Sequence, residues 1–233
     1  MGKLLKYVNG EMYSYEIYPL VDKFDPILTQ KTEEFRFVDT FQPRTPVLAR
    51  ELAVSLIETM KARNGIGLAA NQCGIPLRVF VMGSEGVGYA FFNPEILETT
   101  GETGFEEGCL TFPGLFLPIR RPESVKIKYQ DMNGEFKEQT FSGLSARIIL
   151  HEYDHMEGIV YTSKVPKMIL ERQKKKVYKN IKILNRQKIE QEKQEIIRKA
   201  MEKVALDARK KMTPDSNVAD PGQFLKFTAN TII

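Results

Sequence analysis

The chain has 233 residues, of which 42% are hydrophobic and 27% charged, and its net charge is +4. A chain this long can bury a core of its own, so one sizeable domain with or without an appendage is expected, and no window reaches the apolar length that spans a bilayer. Two cysteines exclude a disulfide framework and point to a reducing compartment, read here as the cytoplasm.

In chain order, the opening stretch to about residue 45 reads as loop with short β-leaning pieces such as YSYEIY. The start MGKLLKYVNG lacks the apolar run of a signal peptide, and Lys6 stands where a myristoylation signal needs Ser or Thr. After Pro43 and Pro46 comes VLARELAVSLIETMKAR, where Leu48, Leu52, Leu56 and Met60 recur every four residues with Ile57 adjacent. That spacing predicts an amphipathic helix, ended by Asn64-Gly65. GIGLAANQCGI follows, then LRVFVM as a buried strand, with YAFFNPEIL, SVKIKYQDM and EFKEQTF as further strands. Asn133-Gly134 predicts a hairpin turn between the last two. Ser142-Gly143 opens a second helix, LSARIILHEYDHMEGIVY, whose apolar face carries Leu144, Ile148 and both histidines, with Gly158 as its stop. Strands in runs with a helix set against them predict an α+β fold: antiparallel sheets packed around a central helix.

From about Val165 the texture changes. Between Lys164 and Lys211 there are 17 Lys or Arg against 6 Asp or Glu, a local charge of +11, so the rest of the chain carries −7. From Lys167 to Met212 the stretch lacks Gly and Pro, with one short apolar stripe at Val177, Ile181 and Leu184 and another at Ile197, Met201, Val204 and Ala208. Thr213-Pro214 breaks the pattern, and the last twenty residues read as mostly unstructured.

The chain holds two histidines, His151 and His155, four residues apart in HEYDHMEG. A four-residue step returns to the same helical face, so both imidazoles can reach one point, with Glu152 beside them. HExxH also arises by chance in ordinary helices. The absence of any other histidine and the apolar lead-in ARIIL favour a metal site. A catalytic site needs a third ligand, a carboxylate or a thiolate, and an open position. Cys109, in the Gly-flanked EEGCLTFPG, is a candidate ligand or a small buried hydrophobe, and Cys73 reads as the latter.

GIGLAANQ (65–72), EGCLT (107–111) and HEYDHMEG (151–158) together resemble the three signature motifs of the peptide deformylases, in the family's order. The resemblance covers residues 20 to 163. It implies that Cys109, His151 and His155 hold one divalent metal, Fe(II) first, with Zn(II), Ni(II) or Co(II) as alternatives, and that a water occupies the fourth position. It implies that Glu152 moves the proton, and that the Gln72 amide and the Leu110 N–H stabilise the oxyanion. Ile66, Gly67 and Gly108 would pair with the substrate backbone, Gly65 and Gly67 keeping the strand clear of side chains, and Ile66, Leu144 and Ile148 would receive a methionine side chain. The substrate implied is a formylmethionyl nascent peptide and the products are formate and a free amino terminus. Asp154 is expected either to pair with Arg121 or Arg120, steadying the ligand helix, or to be a solvated helix charge. Phe116 stands where many bacterial members carry an arginine, Arg147 where some carry an apolar residue, and Thr111 where Ser is commoner.

The organisation expected is a deformylase-like catalytic domain over 1–163, a basic helical extension over 164–212 and a flexible tail over 213–233. The basic arm suggests docking on ribosomal RNA or another polyanion; the bland alternative is a solvated helix or a helix pair packed on the acidic body. A monomer with no membrane partner is expected. Two rivals stand beside the deformylase reading. One is an HExxH metallopeptidase taking a downstream ligand such as Glu171, and the other is a non-enzymatic nucleic-acid-binding protein acting through the arm.

Overall fold

The computed structural model describes residues 4–8, 10–37, 45–84 and 87–211. Thr213-Pro214 and the expected tail lie outside them. The elements in chain order are β1 (Leu4–Val8), β2 (Glu11–Tyr15), α1 (Thr45–Ala62), β3 (Gly67–Ala69), β4 (Val79–Ser84), β5 (Val87–Thr100), β6 (Thr103–Cys109), β7 (Phe112–Arg121), β8 (Ser124–Gln130), β9 (Phe136–Ser142), α2 (Gly143–Met156) and α3 (Lys167–Lys211). The chain divides into two compact units, Met1–Tyr178 and Lys179–Ile233.

Five antiparallel strands form the main sheet in the order β3-β4-β5-β8-β9. Successive side chains on a strand point to opposite faces, and on β4 both faces are buried. Val79 and Val81 pack with Ala49, Ala53, Leu56 and Met60 of α1, whereas Phe80 and Met82 pack with Ala146, Ile149 and Met156 of α2. VFVM (79–82) therefore reads as an unbroken apolar run because each face of the sheet has its own helix. The α+β class and the central HExxH helix are as expected.

The buried stripe of α1 keeps Leu56, Ile57 and Met60, with Leu52 packed against it, and adds two alanines. Ala49, Ala53, Leu56, Ile57 and Met60 face the sheet, and Leu48 is exposed. Alanines lead the face because a helix lying close on a sheet has room only for small side chains there. Asn64 ends the helix in the left-handed conformation at φ 55°, and Gly65 N donates to Met60 O at 2.9 Å. The 133–134 turn is a longer loop than a two-residue hairpin, since Gln130 pairs with Phe136. Asp131 organises it: its side chain accepts from the Asn133 and Glu135 amides, and only Gly134 takes a positive φ.

β6 and β7 form a separate two-stranded hairpin that the sequence pattern does not announce. Leu115, Leu117, Ile119 and Arg121 alternate inward along β7. Exposed Phe116 and two prolines hide that alternation. The inward face of β7 builds a second small core with Tyr161 and Val165, joined by Ile169, Leu170 and Val177 from the start of α3. Within the second unit, α3 continues as one helix to Lys211, and Ile181, Leu184, Ile197, Met201 and Val204 are exposed. Among the described residues no helix is long and apolar enough to cross a membrane.

Candidate active site

Three elements converge on one cleft of about 700 Å³, lined among others by Gly67, Gln72, Cys109, Leu110, His151 and Glu152. α2 brings His151, Glu152 and His155; the tip of the β6–β7 hairpin brings Cys109; the turn after β3 brings Gln72. A register shift between Glu107 and Cys109 marks a bulge just before the hairpin tip, and bulges re-aim side chains in this way. The Cys109 thiol and the two imidazoles place their donor atoms within 4.8 Å of one another. Cys109 Sγ lies 3.3 Å from His155 Nε2. His151 turns Nδ1 to Glu107 Oε2 at 3.0 Å, which leaves its other nitrogen for the cluster.

The donor set suits a borderline-soft divalent cation: one thiol, two imidazoles and a carboxylate held just outside. Although burial works against a charge on His151, its contacts with Cys109 and Glu107 outweigh that and lift its pKa to about 10. Burial pushes His155 well below its ordinary value, keeping it a neutral imidazole. Burial would raise Glu107, but hydrogen bonds from His151 and Arg121 hold it down at about 2.

Glu152 is buried, and its Oε2 has no hydrogen-bond partner. Such an orphan is costly unless something else occupies the cleft. Burial pushes the Glu152 pKa up to about 7, against the pull of His151 and Arg121. Its other oxygen lies against Gly67, where any Cβ would overlap Oε1 and would stand 2.8 Å from Ile148 Cγ2. A Cβ on Gly65 would crowd Leu110 Cδ1 at 2.7 Å, and one on Gly108 would crowd the Phe116 ring at 2.9 Å.

Gln72 is fixed at both ends. The Ala69 amide donates to Oε1 at 2.9 Å, while Nε2 donates to Thr111 Oγ1 at 2.9 Å and to Cys109 Sγ at 3.2 Å. Its amide hydrogens thus face the donor cluster. Leu110, Ile66, Gly108, Leu144 and Ile148 all line the cleft, with Ile66 and Leu144 exposed at its mouth. Glu171 is exposed and pairs with Lys174, with no place in the donor group. Cys73 lies outside it too, and burial pushes its thiol up to about 12.

Arg121, and not Arg120, takes Asp154, at 2.6 Å, and Arg120 pairs with Glu102. Glu107 and Asn71 support the site without having been singled out as residues, and Thr111, which stands where Ser is commoner, accepts from Gln72 Nε2. Glu107 lies between His151, Arg121 and Arg147, and Asn71 Nδ2 holds the His155 carbonyl at 2.7 Å. A carboxylate next to a glycine two residues before a cysteine was the available signal for Glu107, but its partners come from β7 and α2 and only folding assembles them.

The family model of polypeptide deformylase matches residues 17–171. A peptide deformylase of Dictyoglomus turgidum is 45% identical over 136 residues, covering 58% of this chain and 84% of that protein. The crystal structure of peptide deformylase from Thermotoga maritima superposes with a TM-score of 0.59 at 35% identity, covering 65% of this chain and 99% of that one. A Met-Ala-Ser bound class I type b peptide deformylase from Acinetobacter baumannii gives 0.58 at 32% identity, covering 64% and 99%.

Proposed function

The chain belongs to the polypeptide deformylase family, and from that premise we propose that its cleft hydrolyses the formyl group from the amino terminus of formylmethionyl nascent peptides, releasing formate. The observation that carries this reading is the Cys109, His151 and His155 donor group with the buried Glu152 carboxylate, whose Oε2 has no partner, beside it. A divalent metal held by those three side chains, Fe(II) first among Fe(II), Zn(II), Ni(II) and Co(II), would supply Lewis acidity toward water and the formyl oxygen.

The chain's own residues do the rest. Glu152 accepts a proton from the attacking water and delivers it to the departing amine nitrogen, a task suited to a carboxylate raised to about 7. Gln72 Nε2 and the Leu110 N–H supply oxyanion hydrogen bonds, for which Gln72 exchanges one of its contacts to Thr111 or Cys109. Ile66 and Gly108 offer backbone hydrogen bonds to the substrate beside the free edge of β3, which Gly67 keeps clear of side chains, while Ile66, Leu144 and Ile148 accept the methionine side chain. Arg147 does not lie free in that apolar space, since its guanidinium is engaged by Glu107, Ile119 O and Thr103 O.

The organisation proposed is a catalytic domain over 1–163 and a basic extension over 164–212 that docks on ribosomal RNA, in a cytoplasmic monomer. The excess positive charge on one exposed helix supports the docking. Formate release from a formyl-Met tripeptide by anaerobically purified, Fe(II)-loaded protein tests the catalytic reading, beside Glu152→Ala. Rapid release that disappears in the variant is expected, and no release with one equivalent of metal bound would sink the reading.

A further inference from the structure

The donor group is divided between two pieces of structure. Cys109 belongs to the β6–β7 hairpin, a sheet of its own, while His151 and His155 belong to α2 in the main body. Whatever fixes the hairpin against α2 therefore fixes the distance between thiol and imidazoles. Two arginines cross between them in opposite directions. Arg121 leaves the end of β7, bonds Asp154 at 2.6 Å and reaches the Leu150 carbonyl of α2 at 3.1 Å. Arg147 leaves α2 and donates to Glu107 Oε1 at 2.6 Å, Ile119 O at 3.1 Å and Thr103 O at 2.8 Å, all on the hairpin.

The two guanidiniums meet on one carboxylate. Arg121 grips Glu107 through both oxygens, at 2.7 and 2.9 Å, Arg147 takes Oε1 again, and Oε2 faces His151 Nδ1. Both arginines and Glu107 are buried, so these charge-assisted bonds act with little solvent screening. The Arg147 guanidinium carbon also lies 5.6 Å from the centre of the Phe105 ring, on β6.

We infer that Arg147 is a positioning residue for the donor cluster: it locks the β6–β7 hairpin onto α2 and, through Glu107, holds His151 in the orientation that faces Cys109. An apolar residue of similar length in its place would remove one of the two arginine hydrogen bonds to Glu107 Oε1 and the guanidinium contacts to the Ile119 and Thr103 carbonyls. The inference rests on the reading of Cys109, His151 and His155 as ligands, and the test separates the two.

The full chain loaded with Co(II) reports the thiolate and imidazole ligands through its absorption bands, and transfer to excess chelator gives a release rate. In Arg147→Met, release is expected to be about 10- to 100-fold faster, the usual cost of losing a partner that orients a ligand. The bands should shift, and apo-protein circular dichroism should match the parent. Arg147→Lys, which keeps the charge but not the fork, should fall between. Parent-like bands and release in Arg147→Met overturn the inference. Should that variant fail to fold, Arg147→Lys decides, and parent-like release there overturns it. Failure of the parent protein to bind Co(II) through its thiolate would overturn the ligand reading itself, and this inference with it.

Discussion

Gly67 shows how much of the site depends on an atom that is missing. Its bare Cα leaves room for Glu152 Oε1, and a single methyl there would displace the carboxylate. Gly67→Ala is therefore expected to lower kcat/KM for formyl-Met peptides by roughly 100-fold, the scale of a 1 Å misplacement, with the circular dichroism spectrum unchanged. Kinetics on a tripeptide check it, and parent-like turnover would show that Glu152 can relax elsewhere. Cys73 makes a second residue-level prediction. Burial lifts its thiol from 9.0 to about 12, so it stays protonated at neutral pH. Iodoacetamide at pH 8 should alkylate Cys73 only after denaturation, which peptide mapping would reveal. The linkage follows: the folded chain keeps a proton that the unfolded chain releases, so this contribution to stability is complete below pH 9 and is lost as pH rises toward 12.

Helix α1 and the β6–β7 hairpin show what periodicity can and cannot reveal about an element. The four-residue recurrence of Leu48, Leu52, Leu56 and Met60 identifies α1 as a helix, but the buried face is led by Ala49 and Ala53. Hydrophobicity ranks leucine above alanine; contact with a sheet favours the smaller side chain. Ala53→Leu should accordingly destabilise the fold by about 1–3 kcal/mol through overpacking, seen as a lower urea midpoint at unchanged slope. On β7 the inward alternation of Leu115, Leu117 and Ile119 is present in the sequence, but Phe116 between them is exposed at the cleft. Leu117 is fully buried, and Leu117→Ala should cost about 2–5 kcal/mol on the same measurement.

At the scale of the whole molecule, the first compact unit runs to Tyr178 because Ile169, Leu170 and Val177 complete the small core under β7. Truncation after Tyr178 should leave tripeptide turnover near the parent level, whereas truncation after Ser163 removes part of that core and should lower stability. If the exposed basic helix docks on ribosomal RNA, pelleting with ribosomes should weaken steeply with salt in the full chain and vanish in the version ending at Tyr178. Pelleting that survives truncation would assign the contact to the catalytic unit.

The sequence alone determined the parts of this protein that are local in the chain. HEYDHMEG specifies two imidazoles and a carboxylate on one helical face because the α-helical repeat is fixed by backbone geometry, and the three motifs identify the family. The main strands and both body helices were legible for the same reason. Only the tertiary structure decided what comes from distant segments. It joined Cys109 to His151 and His155 across more than forty positions, chose Arg121 over Arg120 for Asp154, and set Arg147 and Arg121 on Glu107. Those pairings depend on how a hairpin lies against a helix, and that depends on packing summed over the whole core rather than on any repeat along the chain.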